Sequence, residues 1–167
     1  MPTQPRLLTP VRAGSLRATN RIWMAPLTRS RAKMPGNIPH DLNTLYYLQR
    51  AASEGGAGLI ISEATPISPR AHGYYATPGI HTDAQIAGWK HITDTLHARD
   101  PNNLIVLQLW HVGRVSNSAL QPDNQPPVGP TDIQSRSKTY IDPSMARVDT
   151  STPRALRTEE IPEIVEE

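Results

Sequence analysis

The chain contains no cysteine. That excludes a disulfide framework and any thiolate metal site. It contains no phenylalanine, and no apolar run approaches the ~20 residues of a membrane span. Residues Met1 to Arg6 are polar and proline-bearing and lack the apolar core of a signal peptide. A large charge of either sign is missing too: 17 Lys+Arg stand against 15 Asp+Glu, net +2, with acids interspersed among bases. No basic patch results, so the composition argues against a nucleic-acid partner. The expectation is a cytoplasmic protein with neither nucleic acid nor membrane as partner. The histidines at 40, 72, 81, 91 and 97 show no ligand spacing, so no metal site is expected.

What the chain does have is 167 residues, enough for one domain with a core, and 17 prolines crowded into its loops. Three apolar runs stop abruptly on polar residues. Ile22-Trp23-Met24-Ala25 stops at Pro26-Leu27-Thr28-Arg29, Leu59-Ile60-Ile61 at Ser62-Glu63-Ala64-Thr65, and Leu104-Ile105-Val106-Leu107 at Gln108-Leu109-Trp110-His111. Runs that are apolar throughout suit parallel strands buried on both faces. The expected strands are Ile22–Ala25, Leu59–Ser62 and Ile105–Leu109, adjacent and parallel.

Helical patterns separate them. Asp41 is a plausible N-cap for a helix with Leu42, Leu45, Tyr46 and Gln49 on one face, Ala52 following and Gly55-Gly56 at its end. Thr82 with Gln85 makes a capping box for a second helix, with a stripe of Ile86, Trp89, Thr93 and Leu96 stopped by Asp100-Pro101. Ahead of the first strand, Leu7–Val11 and Leu16–Ala18 flank Ala13-Gly14-Ser15 as a β-hairpin. From Val112 to Arg157 there are six prolines and no helical period. A loop this long in a compact domain calls for a functional reason. Lys138–Ile141 and Ala146–Val148 read as a small hairpin within an excursion folded over the strand ends. Thr158 then caps a last helical start, with Pro162 in its first turn and Ile161, Ile164 and Val165 opening an apolar face. A helix this short is marginal without packing, and no fourth strand follows, so the sheet keeps an open apolar edge. The ending reads as part of a domain.

In such β-α-β-α-β patterns ligands sit at the carboxyl ends of the strands, so the polar stops are where chemistry is expected. Read residue by residue, Thr28 is a turn residue and Trp110 core packing. Tyr74-Tyr75 is a loop tip, and Glu63 a structural hydrogen-bonding acid rather than a base. Gln108, an amide ending an apolar strand, must find partners either in a ligand or in the backbone.

Met24–Arg29, Gly58–Thr65, Gln108–Arg114 and the segment Arg147-Val148-Asp149-Thr150 with Thr152–Leu156 resemble, in order and spacing, the old yellow enzymes, FMN-dependent NAD(P)H oxidoreductases or ene-reductases on a (β/α)8 barrel. The resemblance covers the family's N-terminal half. It implies an α/β chain forming a partial TIM barrel, the first three βα units with an N-terminal β-hairpin. The parts would be a hairpin cap (1–21), the β-α-β-α-β core (22–111), the excursion (112–157) and the start of the third helix (158–167). By the same resemblance, the backbone of Pro26, Leu27 and Thr28 lies against the flavin ring, with the Thr28 hydroxyl near its O4. Ala64 sits beside the pyrimidine edge, and the Gln108 amide matches that edge's donor–acceptor pattern. Tyr74 and Trp110 line the pocket for the enone or nicotinamide, and His111 is structural.

The implied cofactors are FMN with NADPH or NADH as reductant, and the implied substrates enone or nitro-type small molecules. The family's substrate-oxygen His/Asn pair, its proton-donor tyrosine and its phosphate site lie beyond the third helix. No catalytic residue is therefore expected in this chain, and a C-terminal half-barrel chain is a possible partner. The other readings are an inactive partial barrel that pairs only through its open edge, and a complete doubly wound nucleotide domain. The latter lacks any Gly-x-Gly-x-x-Gly after a strand.

Overall fold

The computed structural model describes residues 5–51 and 55–167. After a 3-10 turn at Arg6–Leu8, strands β1 (Val11–Ala13) and β2 (Leu16–Ala18) form an antiparallel hairpin. The hairpin arm is thus Val11–Ala13, with Leu7 and Leu8 in the turn before it. A three-stranded parallel sheet follows, made of β3 (Trp23–Met24), β4 (Leu59–Pro66) and β5 (Ile105–Trp110), with β4 in the middle. Helix α1 (Asp41–Leu48) joins β3 to β4, and α2 (Asp83–Arg99) joins β4 to β5. All three expected strands are present, adjacent and parallel. β3 is shorter than its apolar run, because Ile22 precedes pairing and Pro26 offers no N–H.

Asn20 fixes the entry to the sheet. Its Oδ1 accepts from Ile22 N (2.8 Å) and Gly58 N (3.0 Å), and its Nδ2 donates to Gly56 O (2.8 Å). Gly58 permits this approach, since a Cβ there would lie 2.5 Å from Asn20 O.

The core joins Tyr46, Tyr47 and Ala51 to Ile60 and to Trp89, Ile92 and Leu96 of α2. Without phenylalanine, its aromatic mass comes from tyrosine and tryptophan, whose polar atoms need partners once buried. Trp89 Nε1 donates to Gly79 O at 3.0 Å, and Tyr47 OH bonds to Glu63.

Both helical stripes differ from expectation. On α1 the buried side chains are Asn43, Thr44, Tyr46 and Tyr47, whereas Leu42 and Leu45 are 56% and 52% exposed. Polar Asn43 turns inward because a buried carboxylate awaits it, and that rotates the leucines out. The N-cap is His40, not Asp41, and the helix ends at Leu48, before Gly55-Gly56; Ala52 lies outside the described residues. On α2, Gln85 and Ile92 are buried with Trp89 and Leu96, while Ile86 is half exposed and Thr93 partly so. The Thr82–Gln85 capping box forms as expected. Thr82→Ala should therefore lower the chain's stability by about 1 kcal/mol, read from a urea midpoint; an unchanged midpoint would show that the cap is idle.

Beyond β5, the excursion carries β6 (Val128–Gly129), β7 (Lys138–Tyr140), β8 (Arg147–Asp149) and β9 (Arg154–Ala155). β7 and β8 make the expected hairpin, and β6 pairs parallel with β9. The segment packs on the loop after β4. Tyr75 N donates to Tyr140 O at 2.8 Å, Thr139 Oγ1 to Gly73 O, and Ser116 Oγ to His72 O at 2.8 Å. Gly73 is needed there, since a Cβ would meet Val115 O at 2.5 Å.

The last elements are a 3-10 turn, Thr158–Glu160, and α3 (Ile161–Glu166). Thr158 does not cap them. The buried Glu160 carboxylate does, accepting from Arg157 N (2.8 Å) and from both terminal nitrogens of Arg154 (2.8 and 2.9 Å). Ile161 and Val165 face solvent.

Candidate functional site

A register shift in β4 between Ile61 and Ala64 organises the carboxyl end of the sheet. Such bulges re-aim side chains and recur beside active sites. The shift leaves backbone groups of β4 and β5 without ladder partners, and side chains supply them. Ser62 Oγ accepts from Gln108 N (2.9 Å), Ser62 Oγ and Thr65 Oγ1 both donate to Glu63 O (2.9 Å each), and Tyr47 OH accepts from Glu63 N (2.9 Å). Beyond the shift Ala64 pairs with Gln108, Thr65 with Leu109 and Pro66 with Trp110. Ala64 is buried and Gln108 half-buried. Among the described residues the Gln108 amide makes no hydrogen bond, so its donor and acceptor remain available.

Glu63 ties the first strand's loop to this frame. Its side chain is fully buried. One oxygen accepts from Arg29 N at 3.2 Å, the other from Asn43 Nδ2 at 3.0 Å and Tyr47 OH at 3.2 Å. Burial pushes the carboxyl's pKa up, and the hydrogen bonds from Arg29, Asn43 and Tyr47 pull it back. The Tyr47 phenol is raised, first by burial and then by the Glu63 charge. With its oxygens engaged, Glu63 acts as an anchor and not as a proton acceptor for a ligand. It holds the turn Pro26-Leu27-Thr28 one residue before Arg29. Leu27 and Thr28 are exposed there, and the Thr28 hydroxyl makes no hydrogen bond among the described residues.

Thr28, Ala64, Gln108 and Trp110 therefore all stand at the carboxyl ends of the three strands. The Tyr74 ring lies 5.4 Å from Trp110 and 6.1 Å from Tyr140, centroid to centroid, so the excursion meets the strand ends through these rings. Trp110 is thus part of an aromatic surface rather than of the core. His111 Nδ1 accepts from Gly113 N at 3.0 Å, a structural use. His40 and Asn43 are spent locally: the His40 ring Nε2 bonds to Arg31 O at 2.9 Å, and Asn43 accepts from His40 N at 3.1 Å and donates through Nδ2 to Glu63.

Residue-by-residue reading missed Ser62, Tyr47 and Asn43, which hold the site from behind. One signal was present: Asn43 and Tyr47 sit four apart, a polar pair on one helical face, with an isolated acid waiting at a strand end.

An organic ring with a polar edge suits this donor set. A half-buried free amide beside a small buried alanine, an exposed hydroxyl and an aromatic wall offer flat contact and paired hydrogen bonds. A phosphate would find no comparable cradle among these residues.

A sequence model of the NADH:flavin oxidoreductase / NADH oxidase family matches residues 6–167. The 12-oxophytodienoate reductase 1 of Oryza sativa subsp. japonica is 46% identical over 161 residues, 96% of this chain and 39% of that protein. Chanoclavine-I aldehyde reductase of Penicillium roqueforti is 44% identical over 156 residues, 93% of this chain and 38% of its own. Among solved structures, morphinone reductase superposes with a TM-score of 0.86 at 51% identity, over 97% of this chain and 42% of that one. A morphinone reductase structure holds tetrahydroNAD. The old yellow enzyme homologue of Zymomonas mobilis gives a TM-score of 0.85 at 41% identity, with 97% and 42% covered. The chain spans about two fifths of the length of these relatives. It belongs to the NADH:flavin oxidoreductase / NADH oxidase family.

Proposed function

We propose that this chain supplies the N-terminal part of an FMN-dependent ene-reductase: the first three βα units of a (β/α)8 barrel and one edge of its flavin site. The observation that carries the reading is the free Gln108 amide in register with buried Ala64 at the strand ends. FMN would supply hydride transfer from NADPH or NADH to the activated C=C bond of an enone or nitro-type substrate. The chain's own residues bind and orient. Gln108 offers one donor and one acceptor to the ring's pyrimidine edge. Ala64 leaves room for close approach, and the Pro26–Thr28 turn, fixed through Arg29 and Glu63, presents the Thr28 hydroxyl. Tyr74 and Trp110 form the flat wall against which a nicotinamide or enone stacks.

One experiment tests the reading directly. FMN is titrated into the chain together with a polypeptide carrying the remaining barrel strands, and the quenching of flavin fluorescence is followed. Gln108→Leu keeps the strand but removes both polar atoms, and should weaken FMN binding about tenfold, the worth of about one to two neutral hydrogen bonds. Equal affinity of the Gln108→Leu variant would remove Gln108 from the flavin site.

A second reading has its own observation. Ile80, Ile86, Trp89, Thr93, Ile105 and Leu107, together with Lys90, line a mostly apolar groove of about 370 Å³ between α2 and β5. With Leu42 and Leu45 exposed on α1, both flanks of the sheet present apolar surface. In this reading the chain is a complementation or self-association fragment without flavin of its own. Gln108→Leu in the reconstituted mixture separates the two: weakened flavin binding for the first, unchanged binding for the second.

A further inference from the structure

His72 and His81 bracket the loop that carries Tyr74, and they touch. Their Nε2 atoms are 3.1 Å apart, and the ring centroids 5.4 Å. Centroids that far apart behind nitrogens that close mean the rings point at each other head-on. Two imidazoles sharing a metal ion would instead converge on a third point, so this is one N–H···N hydrogen bond. Thr77 Oγ1 lies 3.4 Å from His72 Nδ1, and the Gln85 amide nitrogen, a donor, lies 3.5 Å from His81 Nε2, so each ring has a polar neighbour behind or beside the contact.

We propose that the His72–His81 pair is a clasp that positions Tyr74 against Trp110, making both histidines positioning residues of the aromatic wall. This rests on the reading of Tyr74 and Trp110 as pocket residues. The clasp closes the loop across its neck, where the backbone bond from Ile80 N to Pro66 O (3.1 Å) already narrows it. The His72 carbonyl is held as well, accepting from Ser116 Oγ (2.8 Å) and Gln121 Nε2 (2.7 Å) of the excursion. Both rings line a cavity of about 380 Å³ shared with Tyr74, Tyr75 and Leu120, which gives them space to part.

Protonation supplies the signature. The groups facing the pair are Thr77 on its own loop, Gln85 of α2 with its Nε2 3.5 Å from His81 Nε2, Gln121 and Ser116 of the excursion, and Glu167 beyond α3, whose charge favours protonated His81. Arg70, paired to Glu167 at 2.7 Å, is a nearby cation. With one proton added His81 is charged and its Nε2–H donates to His72 Nε2, so the clasp survives. A second must go to His72 Nε2, where it faces that same N–H and breaks the bond. Burial, then the His81 charge, lowers His72 to about 4. The clasp therefore holds through neutral pH and opens only in acid.

The test uses the 167-residue chain without flavin, so its outcome is independent of cofactor binding. Imidazole nitrogen NMR should show no charging of the His72 ring until about pH 4. Proton cross-relaxation between the Tyr74 and Trp110 rings should vanish over the same range. His81→Leu should raise amide exchange of Tyr74 to Thr77 about tenfold at neutral pH, and His81→Gln, which still offers an N–H, should restore protection. A His72 that titrates near the ordinary value of ~6.5, or Tyr74–Trp110 cross-relaxation that persists in acid, overturns the clasp. Equal exchange in the His81→Leu and His81→Gln variants overturns it too. Should His81→Leu fail to fold, the titration of the unaltered chain decides alone.

Discussion

Replacing Glu63 by alanine should cost the chain about 3 kcal/mol of stability, because three donors lose their acceptor at once. Arg29 N, Asn43 Nδ2 and Tyr47 OH all point at this carboxylate. An unpaired buried donor costs roughly 1–3 kcal/mol, and the relief of removing a buried charge offsets part of the sum. Glu63→Gln should cost less, about 1 kcal/mol. Its carbonyl oxygen still serves Asn43 and Tyr47, but its amide nitrogen meets the Arg29 N–H donor to donor. The two variants also differ from the parent in pH dependence. The folded Glu63 pKa is raised above its unfolded value. The folded state therefore holds this proton longer, and the parent's stability falls as pH rises from the ordinary carboxylate value through the folded one. Neither variant has that slope. Urea unfolding across pH 4 to 8 checks both statements. An alanine variant within about 0.5 kcal/mol of the parent would show that the network is not what holds the Thr28–Arg29 turn.

Much of the frame was legible in the sequence because it rests on local rules. Three unbroken apolar runs gave three parallel strands, although only β4 is buried along its length as such runs suggest, while β3 and β5 are half-exposed. The Thr82–Gln85 box marked the second helix because two side chains exchange bonds with two backbone N–H groups within one turn. The helix faces were less legible, for tertiary reasons. Leu42 and Leu45 look like core by periodicity, yet the burial of Glu63 recruits Asn43 and turns α1 by about one position. The bulge at Ser62–Glu63 was invisible too, because a register shift depends on which side chains on other elements satisfy the freed backbone. Of the candidate site, Ala64, Gln108, Thr28 and Trp110 stand where an apolar run stops, but residue by residue Thr28 read as a turn and Trp110 as core, and only the family resemblance gave these positions flavin and pocket roles. The His72–His81 contact was not legible, since nine residues of loop separate the two rings and nothing local brings them together.

The 167-residue chain on its own should show no NADPH-dependent reduction of cyclohexenone above the free-flavin background, even with excess FMN. In our reading its residues reach one edge and one wall of the flavin ring, and nothing among the described residues clamps a phosphate. Charge-assisted contacts are among the strong ones, so the loss weakens cofactor binding sharply. The substrate oxygen is unsupported as well: the His40 ring is committed to Arg31 O and the Asn43 amide to His40 N and Glu63. One missing oxyanion donor costs roughly 100- to 1000-fold in rate, and a missing proton donor roughly 100-fold or more. Together the deficit is on the order of 10,000-fold or greater. Adding a polypeptide that carries the remaining strands should restore both the yellow colour and turnover. It would pair with the free edge of β5 and cover the groove between Ile86, Trp89 and Leu107. Ile86→Asp and Leu107→Asp should then abolish restoration while leaving Gln108 and Thr28 untouched, because each places a charge in the apolar seam. Turnover by the chain alone would show that the substrate-oxygen donors lie within these residues after all.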